Sequence, residues 1–166
     1  MKWVTRENAA VDRIACPWLI RRFVDPQAEF LFVPPEQVNE VARREGATPF
    51  DAEGVELGHV AGRCSFESIL LEFGLTGDAA LVRLGNVIHA ADITAEAHVS
   101  PEGRGLKAIA SGFRLLHGRD DHLKLRLETP MYDALYAWAQ AETSGDGAPA
   151  ASGAPGVPAA PRGGGS

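Results

Sequence analysis

From Val11 to Val24 the chain reads Val-Asp-Arg-Ile-Ala-Cys-Pro-Trp-Leu-Ile-Arg-Arg-Phe-Val, which crowds a carboxylate, three guanidinium groups and a thiol into one amphipathic segment. Cys16 is the candidate catalytic group, as a nucleophile or redox thiol, and Arg13, Arg21 and Arg22 are candidate anion-binding groups. Arginine forks grip tetrahedral oxyanions through paired, charge-assisted hydrogen bonds, so a small oxyanion suits this lining. Pro17 lacks an amide hydrogen and biases Cys16 toward extended backbone. Two helix starts are compatible with it. In one, Cys16 is the N-cap and Pro17 the first helical residue, which sets the thiol at the positive end of a helix dipole and favours thiolate. In the other, the helix starts at Asp12 and bends at Pro17. The structural alternative for Cys16 is a small buried apolar side chain.

A second group of ligand-type residues runs through Glu56-Leu-Gly-His59-Val-Ala-Gly-Arg63-Cys64-Ser-Phe-Glu67, between glycines and a helix start. His59, Cys64 and Glu67 can each donate to a divalent metal, although Glu67 reads equally well as a carboxylate at a helix N-terminus. His59, flanked by glycine turns, has little reason to be core. His89 and Asp92 fall one turn apart on a predicted helix, a spacing suited to metal ligation or to an orienting hydrogen bond. The expected centre is a divalent transition metal held by His59 and Asp92 with help from Asp12 or Glu67, with open positions for a ligand or water. In Asp120-Asp121-His122 one aspartate is expected to cap a helix. His98 and His117 take no role. The chain has no G-x-S-x-G elbow, no P-loop and no G-x-G-x-x-G.

These residues need elements to bring them together. Lys2 to Arg6 and Glu29 to Val33 read as strands, the second apolar enough to be buried on both faces, with the Cys-Pro segment between them in a βαβ-like opening. Pro34 and Pro35 end the strand and start a helix over Glu36 to Glu45 that stops at Gly46. Phe50 to Val60 is a candidate third strand ending at His59. A short helix follows Ser65, and Asp78 caps a longer one with Leu81, Leu84, Val87 and Ile88 on its core face. Pro101 opens another, with Leu106, Ile109, Ala110, Phe113 and Leu116 as its apolar stripe. The last run starts at Asp120 and is expected to break or kink at Pro130. The fold class is α+β: a helix-rich single domain over residues 1–143 with a small sheet formed early in the chain. Residues 144–166, rich in Gly, Pro and Ala, are expected to be a disordered tail.

Acidic residues outnumber basic ones by 22 to 16 in the 166-residue chain, for a net charge of −6. That balance argues against wrapping nucleic acid nonspecifically. Cys16 and Cys64 form no CxxC and suggest no disulfide framework, which fits a reduced, cytoplasmic protein. No apolar leader or membrane span is visible, so export and a membrane partner are not expected.

The blocks Val11 to Phe23, Ala-Glu-Phe-Leu-Phe-Val-Pro-Pro-Glu, Glu-Leu-Gly-His59, Arg-Cys64-Ser-Phe-Glu67 and Met131-Tyr-Asp-Ala-Leu-Tyr-Ala-Trp138 together resemble the C-terminal domain of the chromate resistance protein ChrB family. The resemblance covers roughly Lys2 to Ala141. It implies association with chromate resistance operons, where ChrB-like proteins are linked to sensing chromate and to regulating an efflux transporter. That regulatory role goes with full-length proteins carrying an additional N-terminal domain, so no direct nucleic-acid binding is expected from this unit alone. The matching positions to test are Asp12, Arg13, Cys16, Arg21, Arg22, His59, Cys64, His89 and Asp92. The combined expectation is a stress-response domain with a metal and oxyanion pocket, acting in chromate sensing or as a metal-dependent enzyme. Its competitor is a noncatalytic regulatory or adaptor module that controls chromate efflux through a partner.

Overall fold

The structure is a computed structural model that describes residues 1–93 and 100–145. Its sheet has three parallel strands, β1 (Lys2–Arg6), β2 (Glu29–Val33) and β3 (Thr48–Pro49), in the order β2-β1-β3. The opening is the expected β-α-β unit: α1 (Asp12–Leu19) and a π-helical turn (Ile20–Val24) carry the chain from β1 to β2, which pair from Lys2↔Glu29 to Arg6↔Val33. A 3-10 turn (Pro35–Gln37) and α2 (Val38–Glu45) then lead to β3 on the other side of β1. Gly46 ends α2 in the left-handed region at φ 60°, a conformation that glycine adopts without penalty.

Side chains alternate across a strand, so β1 serves two cores. Trp3 points into the main one, with Ile14, Ala15, Trp18 and Leu19 of α1 and the inner faces of the later helices. Val4 faces Val38, Val41 and Ala47 in a smaller cluster under α2. The helices that complete the main core are α3 (Ser65–Glu72), α4 (Ala79–Asp92), α5 (Pro101–His117) and α6 (Asp121–Ser144). Leu81, Leu84, Val87 and Ile88 of α4 are fully buried, as their spacing predicts, each contributing roughly 1.5–3 kcal/mol. Asp78, Ser100 and Asp120 cap α4, α5 and α6 with side-chain oxygens that accept backbone N–H groups. No helix is long and apolar enough to cross a membrane among the described residues.

Several expectations are corrected. The third strand is Thr48–Pro49, not Phe50 to Val60. Phe50 N–H bonds to Val4 O, but Asp51 turns into the left-handed region and its N–H reaches Leu57 O, which closes residues 51–57 into a loop. In β2 only Phe30 is deeply buried, because this strand forms an edge of the sheet. In α5 the buried stripe is Leu106 and Ala110, whereas Ile109 and Leu116 are exposed. The last helix runs through Pro130 without a break; Pro130 and Arg126 both lie on its exposed side, where a carbonyl deprived of its partner can turn to water. That helix extends to Ser144, one residue past the expected domain limit, and the rest of the expected tail, 146–166, lies outside the described residues, as does His98.

Long α6 also secures the segment that follows β1. Asp121 accepts the N–H groups of Asn8 and Ala9 at 2.8 and 2.7 Å, Lys124 Nζ donates to Ala9 O at 2.9 Å, and Tyr132 Oη donates to Val11 O at 3.2 Å. Lys124 and Asp121 are themselves an ion pair at 2.8 Å, both out of solvent. The start of α1 is therefore set by contacts more than a hundred residues away in sequence.

Candidate metal centre

Beyond the carboxyl ends of β1 and β3, four side chains from four segments converge. In open sheets built of parallel strands, ligands bind in the crevice outside the carboxyl ends, at the point where neighbouring connections diverge. The order β2-β1-β3 puts that point between β1 and β3. Asp12 opens α1 shortly after β1, Asp51 follows β3, His59 lies in the loop before α3, and Asp92 is the last residue of α4. The imidazole Nε2 of His59 is 3.1 Å from Asp92 Oδ2, 3.5 Å from Asp51 Oδ1 and 3.6 Å from Asp12 Oδ2. Asp12 and Asp51 are buried, Asp92 is 23% exposed, and the His59 ring, 46% exposed, forms the mouth.

Each carboxylate is held differently. Asp51 is saturated: Oδ2 accepts Arg6 at 3.0 Å and Arg13 at 3.1 Å, and Oδ1 accepts Ser65 Oγ at 2.7 Å. Asp12 Oδ2 accepts the Ser65 amide at 2.7 Å, but its buried Oδ1 has no hydrogen-bond partner among the described residues. A buried acceptor left unpaired costs roughly 1–3 kcal/mol, and a cation is one group that would satisfy it. The donor atoms of Asp12, His59 and Asp92 lie within 4.8 Å of one another, a span that one metal ion can bridge.

Electrostatics agree with the geometry. Burial pushes the Asp12 carboxyl up to about 6, against the pull of the His59 imidazole 3.6 Å away. Burial also disfavours ionised Asp51, yet His59, Arg13 and Arg6 outweigh it and hold that carboxyl well below its usual range. Asp92 is raised by burial and by the charge of Asp51. His59 is raised to about 10, by Asp12 and Asp51 first and then Asp92. Asp92 is nearer, but the two deeper carboxylates act through less solvent and weigh more. The site thus holds more anionic character than its arginines neutralise, and in the metal-free protein a proton on His59 makes up the difference.

Backbone strain collects here as well. Asn8, Val11, Asp51 and Ala61 are the non-glycine residues with positive φ among the described residues, and all four lie in the loops that present Asp12, Asp51 and His59. For β-branched Val11, at φ 38°, this is a strong outlier, held by Tyr132 and by the start of α1. Such strain persists where surrounding structure over-determines it, commonly at ligand sites.

Of the residues singled out from sequence, Asp12, His59 and Asp92 come together, and Arg13 joins them through Asp51. The others do not. Cys16 is a mid-helix residue of an α1 that starts at Asp12 with Pro17 inside it, so the reading with Cys16 as N-cap is corrected. Its thiol is fully buried, and burial together with Asp12 and Asp51 drives it well above its ordinary value, the opposite of thiolate activation. Arg21 donates to Ala28 O and lies over the Phe30 ring, while Arg22 pairs with Asp133 at 2.9 Å. Both are thereby engaged away from the His59 cluster. Glu67 accepts the Cys64 N–H at 2.8 Å and meets His89 Nδ1 at 2.6 Å, which separates Glu67 and His89 from Asp92. The N-cap of α3 is Cys64 rather than Ser65, whose amide and hydroxyl serve Asp12 and Asp51 instead. Sequence reading missed Asp51 and Ser65. The Phe50-Asp51 step after a strand-like run was the available signal for Asp51. A depression of about 500 Å³, lined by Arg6, Pro35, Glu36 and Asn39 among others, shares Arg6 with the cluster but includes none of Asp12, Asp51, His59 and Asp92 in its lining.

The protein is thus an α+β domain with a carboxylate-imidazole cluster at the carboxyl edge of a parallel sheet. The chain belongs to the ChrB C-terminal domain family, whose profile matches residues 3–139. It is 41% identical over 122 residues to Protein ChrB of Cupriavidus metallidurans, an alignment covering 74% of this chain and 36% of that protein. The chain therefore spans about a third of the length of that curated relative. No solved structure matches it.

Proposed function

We propose that this domain serves chromate resistance by binding a divalent metal at Asp12, His59 and Asp92 and, beside it, a small oxyanion such as chromate. Family membership supports the physiological setting. One observation carries the metal reading: three donors from distant segments lie within 4.8 Å of one another, and one of them, the Asp12 carboxylate, keeps a buried oxygen with no hydrogen-bond partner among the described residues. Two oxygens and one nitrogen suit a borderline transition ion such as Mn(II), Fe(II) or Zn(II), and three protein ligands leave positions open. Asp51 acts one layer out, fixed by Arg6, Arg13 and Ser65. Arg6, part exposed at the edge of the cluster, is placed to bind a charged oxygen of the anion, and the metal when bound would supply a Lewis-acid contact.

Covalent thiol chemistry at Cys16 receives no support from its burial, so ligand binding that shifts a conformational or partner equilibrium is the favoured mode of action. Metal analysis of chelator-free protein, followed by calorimetric titration with Mn(II) and Zn(II), tests the centre. Stoichiometric uptake, weakened at least tenfold by Asp92→Asn, is expected; wild-type protein that takes up neither metal refutes it. Chromate then separates modes. Binding that raises Tm with chromate unconsumed supports sensing, whereas metal-dependent turnover with an added reductant would establish an enzyme.

A further inference from the structure

A second set of donors faces the first from the other side of the Cys64-Ser65 step. Cys64, the N-cap of α3, Glu67 in its first turn and His89 in the last turns of α4 have ligand atoms within 4.8 Å of one another. Glu67 is the hinge of the group, accepting the Cys64 amide and meeting His89 Nδ1. Sulfur, carboxylate oxygen and imidazole nitrogen on two packed helices is a softer donor set than the oxygen-rich Asp12 group. Cys64 is fully buried while Glu67 and His89 are part exposed, so the group is open to solvent on their side.

We propose that Cys64, Glu67 and His89 form a separate binding site for a thiophilic divalent cation, Zn(II) being the natural occupant. Zinc is held by thiolate, imidazole and carboxylate together, and three protein ligands leave a fourth position for water or an exogenous ligand. Binding exchanges the thiol proton of Cys64 for the metal, and that proton leaves to solvent. In the metal-free chain, burial first and then the charge of Asp12 keep this thiol protonated. The Glu67–His89 contact would give way to two metal-ligand bonds while Glu67 retains its cap on α3 through the Cys64 amide. The site rests on its own residues and does not depend on the Asp12 centre being metallated.

Cobalt(II) is the probe, because a thiolate-to-cobalt charge-transfer band in the near ultraviolet reports sulfur ligation and is silent for an oxygen and nitrogen site. Titrating the full chain, we expect that band to saturate, to vanish in Cys64→Ser, to need at least tenfold more cobalt in His89→Ala, and to persist in Cys16→Ser and His59→Ala. Zinc added afterwards should bleach it. No band in the wild-type protein at saturating cobalt overturns the proposal without any variant having to fold, and so does a band that survives Cys64→Ser. Uptake without the band, abolished by His59→Ala, would leave the Asp12 centre standing and remove this one.

Discussion

Glu128 of α6 is a buried carboxyl with neither oxygen hydrogen-bonded among the described residues, and it supplies the most direct quantitative test of the structure. Burial pushes it up from 4.5 to about 7, against a weaker opposing pull from Lys124 one turn earlier. The buried Tyr132 hydroxyl, raised in turn by burial and by Glu128, lies one turn later and bonds to Val11. Because the folded carboxyl holds its proton more tightly than the unfolded one, its contribution to stability is fully present below pH 4.5 and is lost as pH rises through about 7. At roughly 1.4 kcal/mol per pH unit, the loss is about 3 kcal/mol. Glu128→Gln keeps the shape and never ionises. The variant should match wild type near pH 4.5 and exceed it at pH 8.5 by about 2–3 kcal/mol, a Tm difference of about 5–10 °C for a domain of this size. Urea and thermal unfolding at both pH values read this directly, on metal-free protein. A variant no more stable than wild type at pH 8.5 would show that Glu128 has a partner that this packing does not contain, and the account of the α6 interior would fail.

Asp121→Ala should be the most damaging change in the clamp on residues 8–11, since it strands buried Lys124 and two backbone N–H groups; a loss of about 3–5 kcal/mol in urea unfolding is expected, with weakened metal uptake even where the protein still folds. Gly103→Ala would put a Cβ 2.8 Å from Ala90 Cβ and 3.0 Å from Val87 O, at the contact between α4 and α5, and should cost about 1–3 kcal/mol by the same assay. His59, raised to about 10, stabilises the metal-free fold below pH 6.5 and loses that contribution as pH climbs through 10; with the ring nearly half exposed, solvent screening limits it to about 1 kcal/mol, and His59→Ala should flatten that alkaline limb alone. A site-saturating divalent metal at about a hundred times its Kd should raise stability by about 2.7 kcal/mol, an increment that a tenfold weakening in Asp92→Asn cuts to about 1.4 kcal/mol.

How far the sequence disclosed the site depended on whether a residue's role was local. Helix starts were legible because caps act within three residues: Asp78 and Asp120 cap the helices that follow them, and the α4 stripe is buried as its period implies. His59 and Asp92 could be chosen because a histidine among glycines and an acid at a helix end have little structural reason to be there. Asp51 could not be chosen with the same force, since its part is defined by Arg6, Arg13 and Ser65, none of them near it in sequence. The arginines were misjudged for a related physical reason. Charge in a short stretch does not stay on one face when a helix turns through it: Arg13 points back toward β3 and Asp51, while Arg21 and Arg22 leave the π-helical turn toward Ala28 and Asp133. Composition placed them together and helix geometry separated them. The same geometry divides His89 from Asp92, one turn apart on α4, between a sulfur-containing group and a carboxylate group that share the Cys64-Ser65 step. A change that moves the α3 N-terminus must therefore disturb both groups at once, whereas His59→Ala and His89→Ala should each disable one, and that asymmetry is what a paired titration of the two variants would reveal.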